Sequence, residues 1–203
     1  MQRKEAVRRL NMLIGCDLHD LAPEYGVTVV SVNGRVNKGW AGHVCERYLG
    51  LPINSAQSPN FGSWELKSVP VQQLKSGRLW FKETMAITMI DPWNVANTPF
   101  EDSHLLSKLH KAVVVVRLVG SGYEKPQIVH SIVTLDLHGE LLDAVRDDYE
   151  VIRECICDPL RDPEHLSSKM GFYIQPRTKG AGHGSVSRAF YARPRFLSQF
   201  IDL

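Results

Sequence analysis

The run Val113-Val-Val-Val116, continued by Arg117 and Leu118, constrains this chain more than any other stretch. Consecutive β-branched side chains are stiff at χ1 and pack well on a pleated surface. An uninterrupted apolar run of this length reads as a buried central strand rather than a half-exposed one. Further strands are expected at Trp64–Val71, Met85–Ile90, Ile128–Leu135 and Met170–Pro176, and Val27–Val32 is strand-like or extended, turned by Asn33-Gly34. Helical stripes cover residues 3–14 (Val7, Leu10, Ile14) and Leu141–Ile156, the latter with Asp143, Asp147, Asp148, Glu150 and Glu154 on outer positions. A short helix Asp17–Leu21 should stop before Pro23. Another, Gly39–Leu49, should be capped by Asn37 and closed by Gly50. Ser103 should cap a helix running to about Lys111, and Asp91–Asp102, rich in Pro and Asn, reads as loop. Strands and helices that mix without strict alternation predict an α/β or α+β core around a mixed sheet.

Overall charge says little, because 24 Lys and Arg stand against 22 Asp and Glu. Its distribution says more. Between Lys169 and Arg195 there are six Lys or Arg and no acid, with Phe172, Tyr173, Phe190 and Tyr191 interleaved, the footprint of a phosphate-tracking surface. Cys16, Cys45, Cys155 and Cys157 form no C-x-x-C pair, which predicts neither a zinc site nor a disulfide framework and fits a reducing interior. No window holds the ~18 apolar residues of a membrane span, and the charged amino terminus does not read as a signal peptide.

The candidate chemistry lies in Ser58-Pro-Asn-Phe-Gly-Ser-Trp-Glu-Leu-Lys-Ser-Val-Pro-Val71. On an extended chain Glu65 and Lys67 point to the same face, and the glycine turn would bring Asn60 back beside them. An acid, a lysine and a further oxygen donor are the minimum for a divalent metal and a polarised water. The spacing alone also occurs on ordinary solvated strand faces. Glu46, in the middle of a helix with apolar neighbours, needs a partner if it is buried.

The order of motifs resembles the MutH family, the methyl-directed mismatch-repair nickase and the restriction endonucleases related to it. Asn37-Lys-Gly-Trp-Ala-Gly-His-Val-Cys-Glu-Arg-Tyr-Leu-Gly50 is similar to the family's K-G-W-x-G helix, whose glutamate falls on Glu46. Trp64-Glu-Leu-Lys-Ser-Val-Pro-Val71 resembles its V-E-L-K-x-x-P strand, and Glu83-Thr84 its following E-T. Glu101-Asp-Ser-His-Leu-Leu-Ser-Lys-Leu-His-Lys111 resembles the helix that carries a lysine at Lys108. Ile174-Gln-Pro-Arg-Thr-Lys179 is similar to its L-Q-I-R-P-K strand and Ala189-Phe-Tyr191 to its G-F-Y.

The resemblance implies a restriction-endonuclease-like α/β fold, a mixed central sheet flanked by helices, with two lobes forming a DNA cleft: a catalytic lobe mainly over 1–120 and a recognition lobe mainly over 121–203. It implies Mg²⁺-dependent, sequence-specific cleavage of double-stranded DNA. One or two Mg²⁺ would be held by Asn60, Glu65 and the Leu66 carbonyl, with Glu46 available for a second ion. Lys67 would steady the attacking water, and Lys108 would hold a phosphate or support the same centre. Lys38 would touch backbone phosphate. Arg177, Lys179 and Tyr191 fall where the family reads bases. Lys179 would contact base or phosphate, and nonspecific phosphate contact is the alternative for Arg177, Tyr191 and Lys179 alike. A monomer or weak dimer in a prokaryotic cytoplasm is implied, with a MutL-like activator or a cognate methyltransferase system as partner.

One departure matters. The family carries an aspartate where this chain has Asn60, and the spacing here is the shorter N-x4-E-x-K. A neutral amide oxygen is a poorer Mg²⁺ ligand than a carboxylate. The chain is then an inactivated form of a nuclease, an enzyme that tolerates Asn, or a catalytically silent DNA-binding relative, and the first is preferred because the other site residues are in place.

Overall fold

The computed structural model describes residues 1–51, 59–120, 125–158, 165–179 and 187–203. Ser58, Pro159, Pro163 and the Gly180–Gly184 loop lie outside them. Among the described residues seven strands fall into two sheets, and the chain divides into two compact units, residues 1–83 with 112–134 and 203, and residues 84–111 with 135–202.

The first unit is built on the sheet β2-β1-β4-β5, formed by β1 (Glu65–Gln73), β2 (Leu79–Phe81), β4 (Lys111–Val119) and β5 (Gln127–Asp136). It is mixed, as expected, because β1 runs antiparallel to β2 and parallel to β4, with Glu65 opposite Ala112 and Pro70 opposite Arg117. The valine run sits in β4, between β1 and β5, with Val113 through Val116 buried. Leu66, Val113, Val115 and Val129 pack into one core with α1 (Arg3–Asn11), α2 (Leu18–Glu24) and α3 (Trp40–Tyr48) through Leu10, Leu18, Trp40 and Val44. The second unit carries the antiparallel sheet β3-β7-β6, of β3 (Met85–Ile90), β6 (Ile174–Thr178) and β7 (Arg188–Ala192), with α4 (Pro92–Asn97), α5 (His104–Leu109), α6 (Gly139–Cys157) and α7 (Pro194–Leu197).

Several local expectations are corrected. Pro23 lies inside α2, near its end, where a single lost amide hydrogen bond is tolerated. Asn37 does not cap α3 directly; its Oδ1 accepts from the Gly39 amide at 3.1 Å in a turn, and Gly39 takes the N-cap position. Val27–Val32 forms no strand beyond a bridge between Val30 and Val36, because the Ser31–Gly34 turn closes too soon. Within the expected loop 91–102, Asp91 caps α4 through the amides of Trp93 and Asn94, with Pro92 at the first helical position where its missing N–H costs nothing. Lys111 opens β4 instead of closing α5.

The acids of α6 are not all outward. Asp148 is buried, at 5% exposure, and accepts the backbone N–H groups of Phe172, Tyr173 and Ile174 as the chain enters β6. Gly171, at φ +70°, sits just before them. A Cβ there would fall 1.9 Å from the Ile174 carbonyl oxygen, so the turn requires glycine. Three donors converging on one carboxylate explain how an ionisable group stands inside the unit.

Candidate active site

The turn that precedes β1 is held by the Gly62 amide on the Pro59 carbonyl and the Phe61 amide on the Trp64 carbonyl, both at 3.1 Å, with Gly62 at positive φ. Phe61 stacks on Trp64 with ring centroids 3.9 Å apart, and Trp64 is 1% exposed. This packed turn folds Asn60 back onto the strand. Its backbone N–H donates to Glu65 Oε2 at 2.8 Å, and its side-chain Nδ2 donates to Glu46 Oε1 at 3.0 Å. Glu65 Oε1 in turn lies 2.9 Å from Lys67 Nζ. Glu46, Asn60, Glu65 and Lys67, drawn from α3, the turn and β1, therefore form one connected polar group. Glu46 is half-buried and has the partner its helix position called for.

Glu65 is 2% exposed, so its charge depends on Lys67 and on the Asn60 amide. A buried pair of this kind contributes little net stability, but removing one partner strands the other at a cost of about 3–5 kcal/mol. The donor set is all oxygen: two carboxylates, the Asn60 amide oxygen and the Leu66 carbonyl on the intervening residue of β1. That chemistry suits a hard divalent cation. Among the described residues no three His, Cys, Asp or Glu side chains gather as a metal-holding group. Beside Glu46 and Glu65 the third side chain is the neutral Asn60 amide, so the group carries one negative charge fewer than three carboxylates would.

Lys38 is exposed just ahead of α3, in the same unit. The other expected residues belong to the second unit. Lys108, on α5, is buried at 9% exposure, and the helix starts at Ser103, whose hydroxyl accepts from the Leu106 amide at 3.1 Å. On the antiparallel pair β6–β7, Arg177 stands opposite Ala189, two residues from Tyr191, and its guanidinium lies 5.5 Å from the Tyr191 ring centroid. Arg177 also donates to Thr84 Oγ1 at 2.7 Å. Lys179 is exposed at the strand end, where its amide bonds the Ser187 carbonyl. Arg177 and Lys179 thus share one face of this pair with Tyr191, which stands opposite Gln175, two residues before Arg177. Sequence reading had not singled out Arg117, whose Nε donates to Ser68 Oγ at 2.7 Å and whose Nη1 bonds Gln127 Oε1. A charged residue closing an otherwise apolar run was the only signal for it.

Fold and polar group together define a mixed α/β protein with an acid–lysine centre on a strand edge. The model of the family described as DNA mismatch repair enzyme MutH matches residues 49–140. Type II restriction enzyme Sau3AI of Staphylococcus aureus is 28% identical over 86% of this chain, which spans 37% of that enzyme's length. DNA mismatch repair protein MutH of Vibrio vulnificus is 26% identical, covering 98% of this chain and 92% of its own length. The MutH of Shewanella woodyi is 29% identical over 91% of this chain and 78% of its own. The chain is similar to the MutH family, as its motif order led us to expect, and its mixed sheet under helices agrees with the restriction-endonuclease-like fold.

Proposed function

We propose that the chain is built as a sequence-specific endonuclease for double-stranded DNA, of the type II restriction or MutH-like nicking kind, and that Asn60 mutes it. The connected group Glu46–Asn60–Glu65–Lys67 carries this reading. Mg²⁺, one ion or two, would be held by Glu65, the Leu66 carbonyl and the Asn60 amide oxygen, with Glu46 as a further ligand. When bound it would supply a polarised water and charge compensation at the phosphate. Lys67, fixed by Glu65, would orient that water and offset charge developing on the phosphoryl oxygens. Lys108 would hold a phosphate. We assign hydrolysis to Glu46, Asn60, Glu65 and Lys67 of the first unit, and base reading to the second through Arg177, Lys179 and Tyr191, with Lys38 on the DNA backbone. Arg177 would present its donor fork to a guanine edge. A MutL-like activator or a cognate methyltransferase completes the two biological settings, and the protein would act as a monomer or weak dimer.

A second reading, a catalytically silent DNA reader of the same fold, is favoured by one observation. The Asn60 amide donates to Glu46 Oε1 without a cation, which an aspartate would not do. Incubating Asn60→Asp protein with supercoiled plasmid and Mg²⁺ separates the two. Nicked or linear product supports the enzyme; tight, sequence-specific binding with no product supports the reader.

A further inference from the structure

A cavity in the first unit, of about 440 Å³, is lined by Lys38, Lys82 and Arg117 against a single carboxylate, Glu83, with Trp40 and Val119 among its apolar walls. Arg117 makes its hydrogen bonds to neutral groups, the Ser68 hydroxyl and the Gln127 carbonyl, and Lys82 donates to the Gly120 carbonyl at 3.3 Å. Among the described residues none of the three cations forms an ion pair with a carboxylate. Burial holds the Arg117 guanidinium below its ordinary pKa, and the negative charge of Glu83 opposes that only in part, so its charge is costly where it stands. A guanidinium this far buried is normally paired, and an anion entering this cavity between it and the exposed Lys38 and Lys82 would complete the set.

The cavity opens beside Pro70, three residues past Lys67 on β1, and by strand alternation on the opposite face from Lys67. That places it about 10 Å along the strand from the acid–lysine group. An arginine fork flanked by lysines is the usual seat for phosphate oxygens, and the volume leaves room for an attached sugar against the apolar walls.

We propose that this pocket seats a phosphate of a nucleotide unit, distinct from any phosphate at Glu65 and Lys67, with Lys82 and Arg117 as ligands beside Lys38. The phosphate would come from a nucleic-acid backbone or from a free nucleotide. The assignment does not depend on the acid–lysine centre being able to hydrolyse anything, since Asn60→Asp leaves the pocket untouched.

Binding by the full chain is measured by calorimetry with inorganic phosphate and with thymidine 5′-monophosphate, and by fluorescence anisotropy with a short duplex over a range of salt. Lys82→Gln and Glu83→Gln, both at exposed positions, are compared with the parent. Lys82→Gln is expected to weaken the bound ligand about fivefold or more, and Glu83→Gln to tighten it. A backbone phosphate shows as a fall of about 0.9 in the duplex salt slope of Lys82→Gln, with the mononucleotide failing to saturate. A free nucleotide shows as saturable monophosphate binding that Lys82→Gln loses while the duplex slope holds. Absence of binding to all three probes, indifference to Lys82→Gln, or a shift of both variants in the same direction would overturn the assignment.

Discussion

Asn60→Asp perturbs the centre in a way whose size follows from the structure. The Asn60 Nδ2 hydrogen bond to Glu46 Oε1 spans 3.0 Å, and an aspartate would set two carboxylates at that separation. Loss of a hydrogen bond to a charged acceptor costs about 1.5–3 kcal/mol. Like charges about 4 Å apart near a protein surface repel by up to ~4 kcal/mol. Glu46 is only half-buried, and one carboxyl can take up a proton, so water screening and protonation bring the net loss to about 2–4 kcal/mol. For a chain of 203 residues that lowers the melting temperature by roughly 5–15 °C. A divalent cation between the carboxylates removes the repulsion and, at a hundred times its dissociation constant, adds about 2.7 kcal/mol. Differential scanning calorimetry in EDTA and in saturating Mg²⁺ reads both effects. The variant should melt below the parent in EDTA and gain more from Mg²⁺. Equal melting temperatures in EDTA, or equal Mg²⁺ gains, would refute the idea that Asn60 stands in a cation-binding position.

Asp17 caps α2 through the His19 amide and accepts the Gln127 amide at 2.9 Å; burial opposes its charge, but these hydrogen bonds and His19 hold its pKa below the ordinary value. Its contribution is therefore full above the unfolded pKa of about 4 and fades as pH falls through the folded one. Asp17→Asn should cost about 1 kcal/mol at neutral pH, and the gap from the parent in urea melts should close in acid. Asp148→Asn turns one oxygen into a donor facing the amides at the start of β6. A loss of about 3 kcal/mol is expected, read as a fall in melting temperature with the surrounding β6 amides losing hydrogen-exchange protection. Arg177→Ala should relax discrimination at one base by about 1–3 kcal/mol, measured by anisotropy across single-base variants of the selected site.

Much of this architecture was legible because it rests on local patterns. The valine run had to be buried, and it lies between two strands with helices on one face. The glycine turn before Glu65 predicted the return of Asn60, since a short turn ahead of a strand has few ways to close. What escaped were features that depend on long-range partners. Asp148 has the helical period of an outer acid, and only the arrival of residues 172–174 makes its interior place tolerable. Residues 91–102 read as loop because their Pro and Asn content outweighed the Asp91 cap. Arg117 finds Ser68 and Gln127 on neighbouring strands, 49 and 10 residues away in sequence, and no motif announces such a meeting. The Asn60–Glu46 bond is of the same kind. It gives Asn60 a structural reason to stand where a carboxylate would crowd its neighbour.

We propose that α3, the glycine turn and β1 assemble a hydrolytic centre that one amide mutes. Single-turnover cleavage of plasmid DNA with Mg²⁺ by the parent, by Asn60→Asp, and by Asn60→Asp carrying Lys67→Ala tests it most directly. Cleavage at least about a hundredfold faster for Asn60→Asp than for the parent, abolished again by Lys67→Ala, is the predicted result. Equal, negligible cleavage by folded parent and Asn60→Asp proteins, or cleavage by Asn60→Asp that persists without Lys67, would contradict it.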